Sequence, residues 1–251
     1  MNVTPKKSLG QHFLVDLNIL GVIERLAELK SGDVVLEVGP GLGVLTRFLA
    51  ERVGVVHAAE IDRRLEAELP RNDNVQIHWG DALALDIAAL RPPPTKLVAN
   101  LPYNIATPLV AESLAVQQLD LWCVMVQREV ADRFFAEPST KAYGAVSVLL
   151  QLATERTGFH PVSREVFRPR PNVESALVAF RRIAPGADET TKRVVEAAFS
   201  HRRKTLANAV ALSGIASREQ AVAALATLNV RDDVRAEALS PSQFVELARQ
   251  L

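Results

Sequence analysis

Asp33-Val34-Val35-Leu36-Glu37-Val38-Gly39-Pro40-Gly41-Leu42-Gly43 is the stretch that decides the fold of this chain. Its valine-rich start reads as a buried strand. The glycines let the backbone turn sharply where a Cβ would obstruct it. Leu45, Phe48, Leu49 and Val53 then set a helical period. A strand, a glycine turn and a helix in succession open a parallel α/β sheet.

Working outward, the same alternation continues. Strands are expected over Val55–Glu60, Val75–Trp79, Lys96–Ala99 and Leu121–Val126. Helices are expected over Arg63–Leu69, Leu83–Leu90, Pro108–Val116 and Glu129–Phe135. Upstream, the apolar spacing of Ile19, Leu20, Ile23, Leu26 and Ala27 predicts a helix within Asp16–Lys30, with Asp16 as N-cap. The pattern implies a doubly wound, Rossmann-like α/β sheet with helices on both faces. Ligands of such a sheet lie beyond the carboxyl ends of its strands, near the switch point.

After Ala145 the alternation loosens. Val146–Ala153 fits either a helix or a strand, and Ser175–Phe180 reads as a strand. Pro185-Gly186 marks a boundary. Beyond it only helical patterns remain, over Val194–Phe199, Leu206–Leu212, Gln220–Leu228 and Phe244–Leu251. Ser240-Pro241 supplies the last with a cap and a proline at its first position. The expected division is a large domain over 1–184 and a small helical domain over 185–251.

The 251 residues are 48% hydrophobic and 23% charged, as in a globular protein. Formal net charge is zero, so only the distribution of charge can argue for a nucleic-acid partner. The one cysteine, Cys123, cannot form an internal disulfide; its apolar neighbours make it a core thiol, and a reducing compartment is expected. The histidines are scattered and no C-x-x-C occurs, so no metal is expected. No signal peptide and no apolar run long enough to span a bilayer are read, which predicts a cytoplasmic protein.

The chemistry sits at strand ends. The glycine spacing is G-x-G-x-G, not the G-x-G-x-x-G that cradles a dinucleotide pyrophosphate. S-adenosylmethionine carries no phosphate, only an amino-acid tail beside an adenosine, and suits this loop. Glu60, at the next strand end, can accept from both ribose hydroxyls. Asp81, at the third, can accept from an adenine amine or simply cap the following turn.

Asn100-Leu101-Pro102-Tyr103 ends the fourth strand. An adenine N6 lone pair is delocalised into the ring and is a poor nucleophile. Acceptors on its N–H groups draw the nitrogen toward a tetrahedral, reactive form. The Asn100 side-chain oxygen can be one acceptor, and a backbone carbonyl near Leu101 or Pro102 the other. Tyr103 offers a ring for base stacking, worth about 1–3 kcal/mol. The plain alternative is a proline turn after a strand.

These residues carry a family resemblance. Leu9-Gly10-Gln11-His12-Phe13-Leu14, the glycine loop, Glu60-Ile61-Asp62, Gly80-Asp81-Ala82-Leu83, Asn100-Leu101-Pro102-Tyr103-Asn104, Gln127-Arg128-Glu129-Val130-Ala131, Tyr143-Gly144, Phe167 to Ser175 and Arg202-Arg203-Lys204-Thr205-Leu206 together resemble the bacterial small-subunit ribosomal RNA adenine dimethyltransferases (the KsgA family). The resemblance implies a class I methyltransferase sheet and a helical C-terminal domain that contacts RNA. It implies dimethylation of two adjacent adenosines in the 3′-terminal stem-loop of 16S rRNA, in the immature small subunit. It further implies that Gln11, His12, Leu14, Gly39, Gly41, Glu60, Ile61, Asp81, Ala82 and Asn100 line the cofactor site. His12 is one departure, since asparagine is expected there. A monomer is expected.

Phe167 is the second candidate stacking ring, or else a hydrophobic plug for its loop. Arg156, Arg164, Arg168, Arg170, Arg181 and Arg182 outnumber Glu165 and Glu174 within one stretch; His201-Arg202-Arg203-Lys204 and Lys6-Lys7 form two further basic clusters. Arg168, Arg170, Arg202, Arg203 and Lys204 are the candidate phosphate contacts. Three rivals stand beside this reading: a 23S rRNA adenine methyltransferase of the macrolide-resistance type, a non-catalytic rRNA-binding assembly factor, and a small-molecule N-methyltransferase.

Overall fold

The computed structural model describes residues 4–6 and 9–251; Lys7, in the N-terminal basic cluster, lies outside the described residues. A two-residue strand β1 (Phe13–Leu14) leads into helix α1 (Asn18–Ala27). Strand β2 (Val34–Val38) and helix α2 (Val44–Ala50) follow, flanking the glycine loop. Then come β3 (Val55–Glu60), β4 (Val75–Trp79), β5 (Lys96–Asn100), α3 (Ala106–Ser113), β6 (Leu121–Gln127) and α4 (Arg128–Phe134). Helix α5 (Ala145–Ala153) runs straight into β7 (Thr154–Val162), and β8 (Phe167–Arg168) and β9 (Ser175–Arg182) complete the strands.

The main sheet has the order β4-β3-β2-β5-β6-β9-β7. Strands β2 to β6 pair in parallel, and β9 is antiparallel to β6. The chain steps outward from β2 through β3 to β4, then returns to lay β5 on the other side of β2. The switch point therefore falls between β2 and β5, whose carboxyl ends carry Gly39 and Asn100. Central strands are buried on both faces, which is why they read as unbroken apolar runs. Trp122 is fully buried in β6; its indole N–H donates to Ser113 Oγ at 2.8 Å and its ring stacks on Phe180.

Two expected helices are shorter and tighter than the sequence pattern implies. Arg63–Glu68 is a 3₁₀ segment capped by Asp62. Residues 83–90 hold two 3₁₀ turns, because Asp81 and Asp86 each capture a nearby backbone N–H and interrupt the run. Strand β7 has no counterpart in the expected elements, whereas the 146–153 ambiguity resolves as helix.

The chain forms two units. One holds the described residues up to Ala131 together with Glu155–Arg182; the other holds Asp132–Thr154 and Ile183–Leu251. The second unit comprises the excursion with α5, and α6 (Glu189–Ser200), α7 (Leu206–Leu212), α8 (Arg218–Thr227) and α9 (Pro241–Ala248). Buried Tyr143 ties its two segments: the ring meets Phe199 edge-on and its hydroxyl donates to the Leu239 carbonyl at 2.8 Å. The Ser240 cap, with Pro241 opening α9, is present.

Candidate active site

The carboxyl ends of β2, β3, β4 and β5 enclose one cavity. Its lining includes Gln11, His12, Leu14, Gly39, Gly41, Glu60, Ile61, Asp81, Ala82, Asn100, Leu101, Pro102 and Tyr103. The structure thus brings together every residue expected at the cofactor and every residue of the Asn-Leu-Pro-Tyr turn. Gly39 and Gly41 have φ of 74° and 59°, a region that L side chains rarely adopt. A Cβ on Gly39 would lie 3.1 Å from Pro102 Cγ, and one on Gly41 3.0 Å from the Phe13 ring. The loop can pack this closely on the Asn-Leu-Pro-Tyr turn and on Phe13 because Gly39 and Gly41 carry no side chain.

Glu60 is buried and pins that loop. Its Oε2 accepts from the Gly41 N–H at 3.2 Å and its Oε1 from the Asp62 N–H at 2.8 Å. Each oxygen keeps a lone pair for a further donor. Burial raises its carboxyl above the ordinary range. Asp62 is also buried, and it accepts from the side chains of Arg64 and Gln11. The Arg64 guanidinium beside it holds its carboxyl well below the ordinary range. Asp81 is exposed at the rim and caps the turn after β4 through the Leu83 N–H, so the capping reading holds while its position still lines the cavity.

Glu37 stands inside the glycine motif, yet the sequence pattern assigns it no role. It is 1% exposed, lines the cavity, and its Oε2 has no hydrogen-bond partner among the described residues. Burial pushes its carboxyl up to about 8, and nearby Glu60 adds to the shift. A buried acid in the wall of a cavity suits a cationic ligand. With the glycine cradle, it fits the sulfonium and ammonium groups of S-adenosylmethionine.

Asn100 is oriented by its neighbour. Its Nδ2 donates to the His12 carbonyl at 3.1 Å. A carbonyl only accepts, so the amide's NH₂ end must face it, and Oδ1 remains the outward acceptor. The Pro102 carbonyl already accepts from the Ile105 N–H at 3.1 Å, whereas the Leu101 carbonyl has no donor among the described residues. Leu101 is the better second acceptor, and its buried side chain restricts it to a backbone role. Tyr103 is half-buried; its hydroxyl shares a 2.7 Å hydrogen bond with Ser175 Oγ, which fixes the ring.

Phe167 requires a correction. It pairs with Leu14 in the β1–β8 ladder and is fully buried in the core with Ile19, Ile23 and Leu177. It is the plug, not a ring open to a base. Arg181 and Arg182, counted in the arginine-rich stretch, end β9 beside the amino end of β6, opposite the cavity. Arg181 pairs with Glu28, and Arg182 donates to the carbonyls of Leu114, Val116 and Leu119. Arg168 and Arg170 are exposed, the latter paired with Glu165 at 2.7 Å.

Within the helical unit, Lys141, Arg202, Arg203 and Arg235 surround a second, shallow cavity with Ser139, Thr140 and Glu237. Arg202 spends its guanidinium on the carbonyls of Lys141 and Tyr143 and on Glu237. Arg203 and Lys204 are exposed. No helix among the described residues is long and apolar enough to cross a membrane.

Comparison with known proteins agrees with this geometry. Residues 2–251 match the family model described as ribosomal RNA adenine dimethylase. The chain is 51% identical to the ribosomal RNA small subunit methyltransferase A of Rubrobacter xylanophilus, over 98% of this chain and 95% of that protein. The corresponding protein of Moorella thermoacetica is 42% identical over 99% and 93%. Among solved structures, a dimethyladenosine transferase from Plasmodium falciparum shares the fold, with a TM-score of 0.76 at 24% identity, covering 94% of this chain and 96% of that one. The 23S rRNA methyltransferase ErmE gives 0.65 at 28% identity, covering 95% and 99%.

Proposed function

The chain belongs to the ribosomal RNA adenine dimethylase family, and from that premise we propose that it dimethylates the N6 amines of two adjacent adenosines in the 3′-terminal stem-loop of 16S rRNA, within the immature small subunit. It is an S-adenosylmethionine-dependent methyltransferase, and the cofactor supplies the activated methyl group when bound. Glu60 receives the ribose hydroxyls, Asp81, Ala82 and Ile61 border the adenine, and Glu37, buried in the wall, accepts from the cationic tail once it gives up its proton.

The chain's own work on the substrate is positioning. Asn100 Oδ1 and the Leu101 carbonyl accept the two N6 hydrogens, draw the lone pair out of the ring and point it at the methyl donor. Tyr103 stacks the extruded base, which helps offset a few kcal/mol of unstacking. Holding the two reacting atoms in line contributes much of the acceleration. The observation that carries this reading is the hydrogen bond from Asn100 Nδ2 to the His12 carbonyl, because it leaves the amide oxygen as the only acceptor end.

The basic residues supply the RNA grip. Arg168 and Arg170 in one unit and Arg203 and Lys204 in the other are exposed cations suited to phosphates. The names of the relatives favour the small subunit over 23S rRNA. Incubating the protein and cofactor with immature small subunits and, separately, with naked 23S rRNA tests the assignment. Mass spectrometry should find dimethyladenosine in the 16S 3′ stem-loop alone. Modification confined to 23S rRNA would move the enzyme to the resistance group, and no modification of either would leave an assembly factor.

A further inference from the structure

His12 does more than line the cofactor cavity. Its carbonyl holds the Asn100 amide, as described. Its ring lies against Tyr103 with centroids 5.3 Å apart and planes inclined by 29°, so it covers one face of the proposed stacking ring. Its Nδ1 lies 2.8 Å from the Pro169 carbonyl. Because that carbonyl only accepts, Nδ1 carries the hydrogen.

The reason for the last interaction lies in the β1–β8 ladder. Phe13 pairs with Arg168 at the end of the ladder, and His12 and Pro169 are the residues just beyond it in the two strands. Proline has no N–H to continue the ladder. The imidazole N–H, donating to the Pro169 carbonyl, ties the cavity wall to the Arg168-Pro169-Arg170 segment. One residue thus touches the base-stacking ring, the acceptor amide and the backbone between two exposed arginines.

We propose that His12 is a positioning residue that leaves Tyr103 a single open face for the target base and couples that face to the arginine segment at 168–170. This rests on the adenine-methylating reading of the site. Covering one face matters most for the second transfer. A monomethylated N6 has one hydrogen in place of two, so it is held by fewer hydrogen bonds and depends more on the ring.

Three variants separate the two roles of the side chain. In His12→Ala the backbone carbonyl remains, so the cofactor dissociation constant should stay within about twofold. The rate of methyl transfer should fall about tenfold, less than the ~10²-fold that a 1 Å misplacement can cost, and monomethyladenosine should accumulate over dimethyladenosine. His12→Phe restores the ring without the donor and should recover the dimethyl product. His12→Asn, the residue the resemblance expects there, restores a donor without the ring and should recover the KM for RNA. An RNA carrying 2-aminopurine at the target position gives a readout without turnover: its quenching by Tyr103 should weaken in His12→Ala and return in His12→Phe. If the wild-type protein transfers no methyl group to RNA, the reaction assigned is wrong, and the emission still decides the role of His12. An unchanged product ratio and emission in His12→Ala, or abolished cofactor binding in a variant of unaltered melting temperature, overturns the proposal.

Discussion

The strand-end cavity and the basic face of the helical unit are made from opposite materials. The cavity is built of buried carboxylates, glycines at positive φ and an amide whose orientation a carbonyl dictates. The basic face offers long, exposed side chains, of which Arg202 is the one most tied to its surroundings. The difference teaches where chemistry and affinity reside. Reaction geometry needs atoms held by the backbone, whereas phosphate attraction is long-ranged and tolerates mobile charges. Substitutions should therefore act steeply and specifically in the first region, and shallowly in the second.

The largest effect should come from Glu37. Its carboxyl, raised to about 8 by burial, keeps its proton in the folded state over a range where the unfolded chain has released it. The folded state then binds more protons, so stability falls as pH rises from the ordinary glutamate value of 4.5 to about 8, and levels off above. At ~1.4 kcal/mol per unit the decline is on the order of 5 kcal/mol at most. Glu60, raised in the same direction, adds to the slope. In Glu37→Gln, chemical denaturation across this range should show most of the decline removed. A wild-type curve of the same shape as the variant's would mean that Glu37 ionises freely and that the cavity is wetter than its burial implies.

Asn100→Ala comes next. Deleting one preorganised polar group at a reacting centre costs on the order of 10²–10³-fold in kcat, and the cofactor dissociation constant should barely change. Single-turnover methylation and calorimetry separate the two; abolished cofactor binding with intact turnover chemistry would make Asn100 a cofactor residue. Glu60→Ala reverses that signature. Hydrogen bonds to a charged group are worth about 1.5–3 kcal/mol, so cofactor affinity should drop roughly 10- to 100-fold while RNA affinity holds. An unchanged dissociation constant would remove Glu60 from the ribose.

The same contrast explains what the sequence disclosed. The ends of β2, β4 and β5 were legible because glycine or proline follows them, and the strands themselves because a sheet buried on both faces leaves apolar runs behind. Glu37 was visible in the motif, yet its unmet oxygen depends on three-dimensional burial. Phe167 could not be resolved: its partner Leu14 is far away in sequence, and two-residue strands carry no period. Strand β7 escaped because Thr154-Glu155-Arg156-Thr157-Gly158-Phe159-His160-Pro161-Val162 shows no apolar alternation and follows a helix with no turn between. Arg181 and Arg182 looked like their basic neighbours, and only the antiparallel run of β9 carried them to the far edge of the sheet.

The smallest effect belongs to the basic face. Arg202 is a poor probe there, since its bonds to Lys141, Tyr143 and Glu237 make its removal a structural change. Arg203 and Lys204 are exposed and cleaner. Removing one cation that neutralises a phosphate should lower the slope of log K against log salt by about 0.7–0.9. Arg203→Ala with Lys204→Ala should therefore flatten the slope by up to roughly twice that value, with kcat at saturating RNA unchanged. If the slope stays and kcat falls instead, these side chains act on the reacting geometry, and the division between a rigid chemical site and a diffuse electrostatic one does not describe this enzyme.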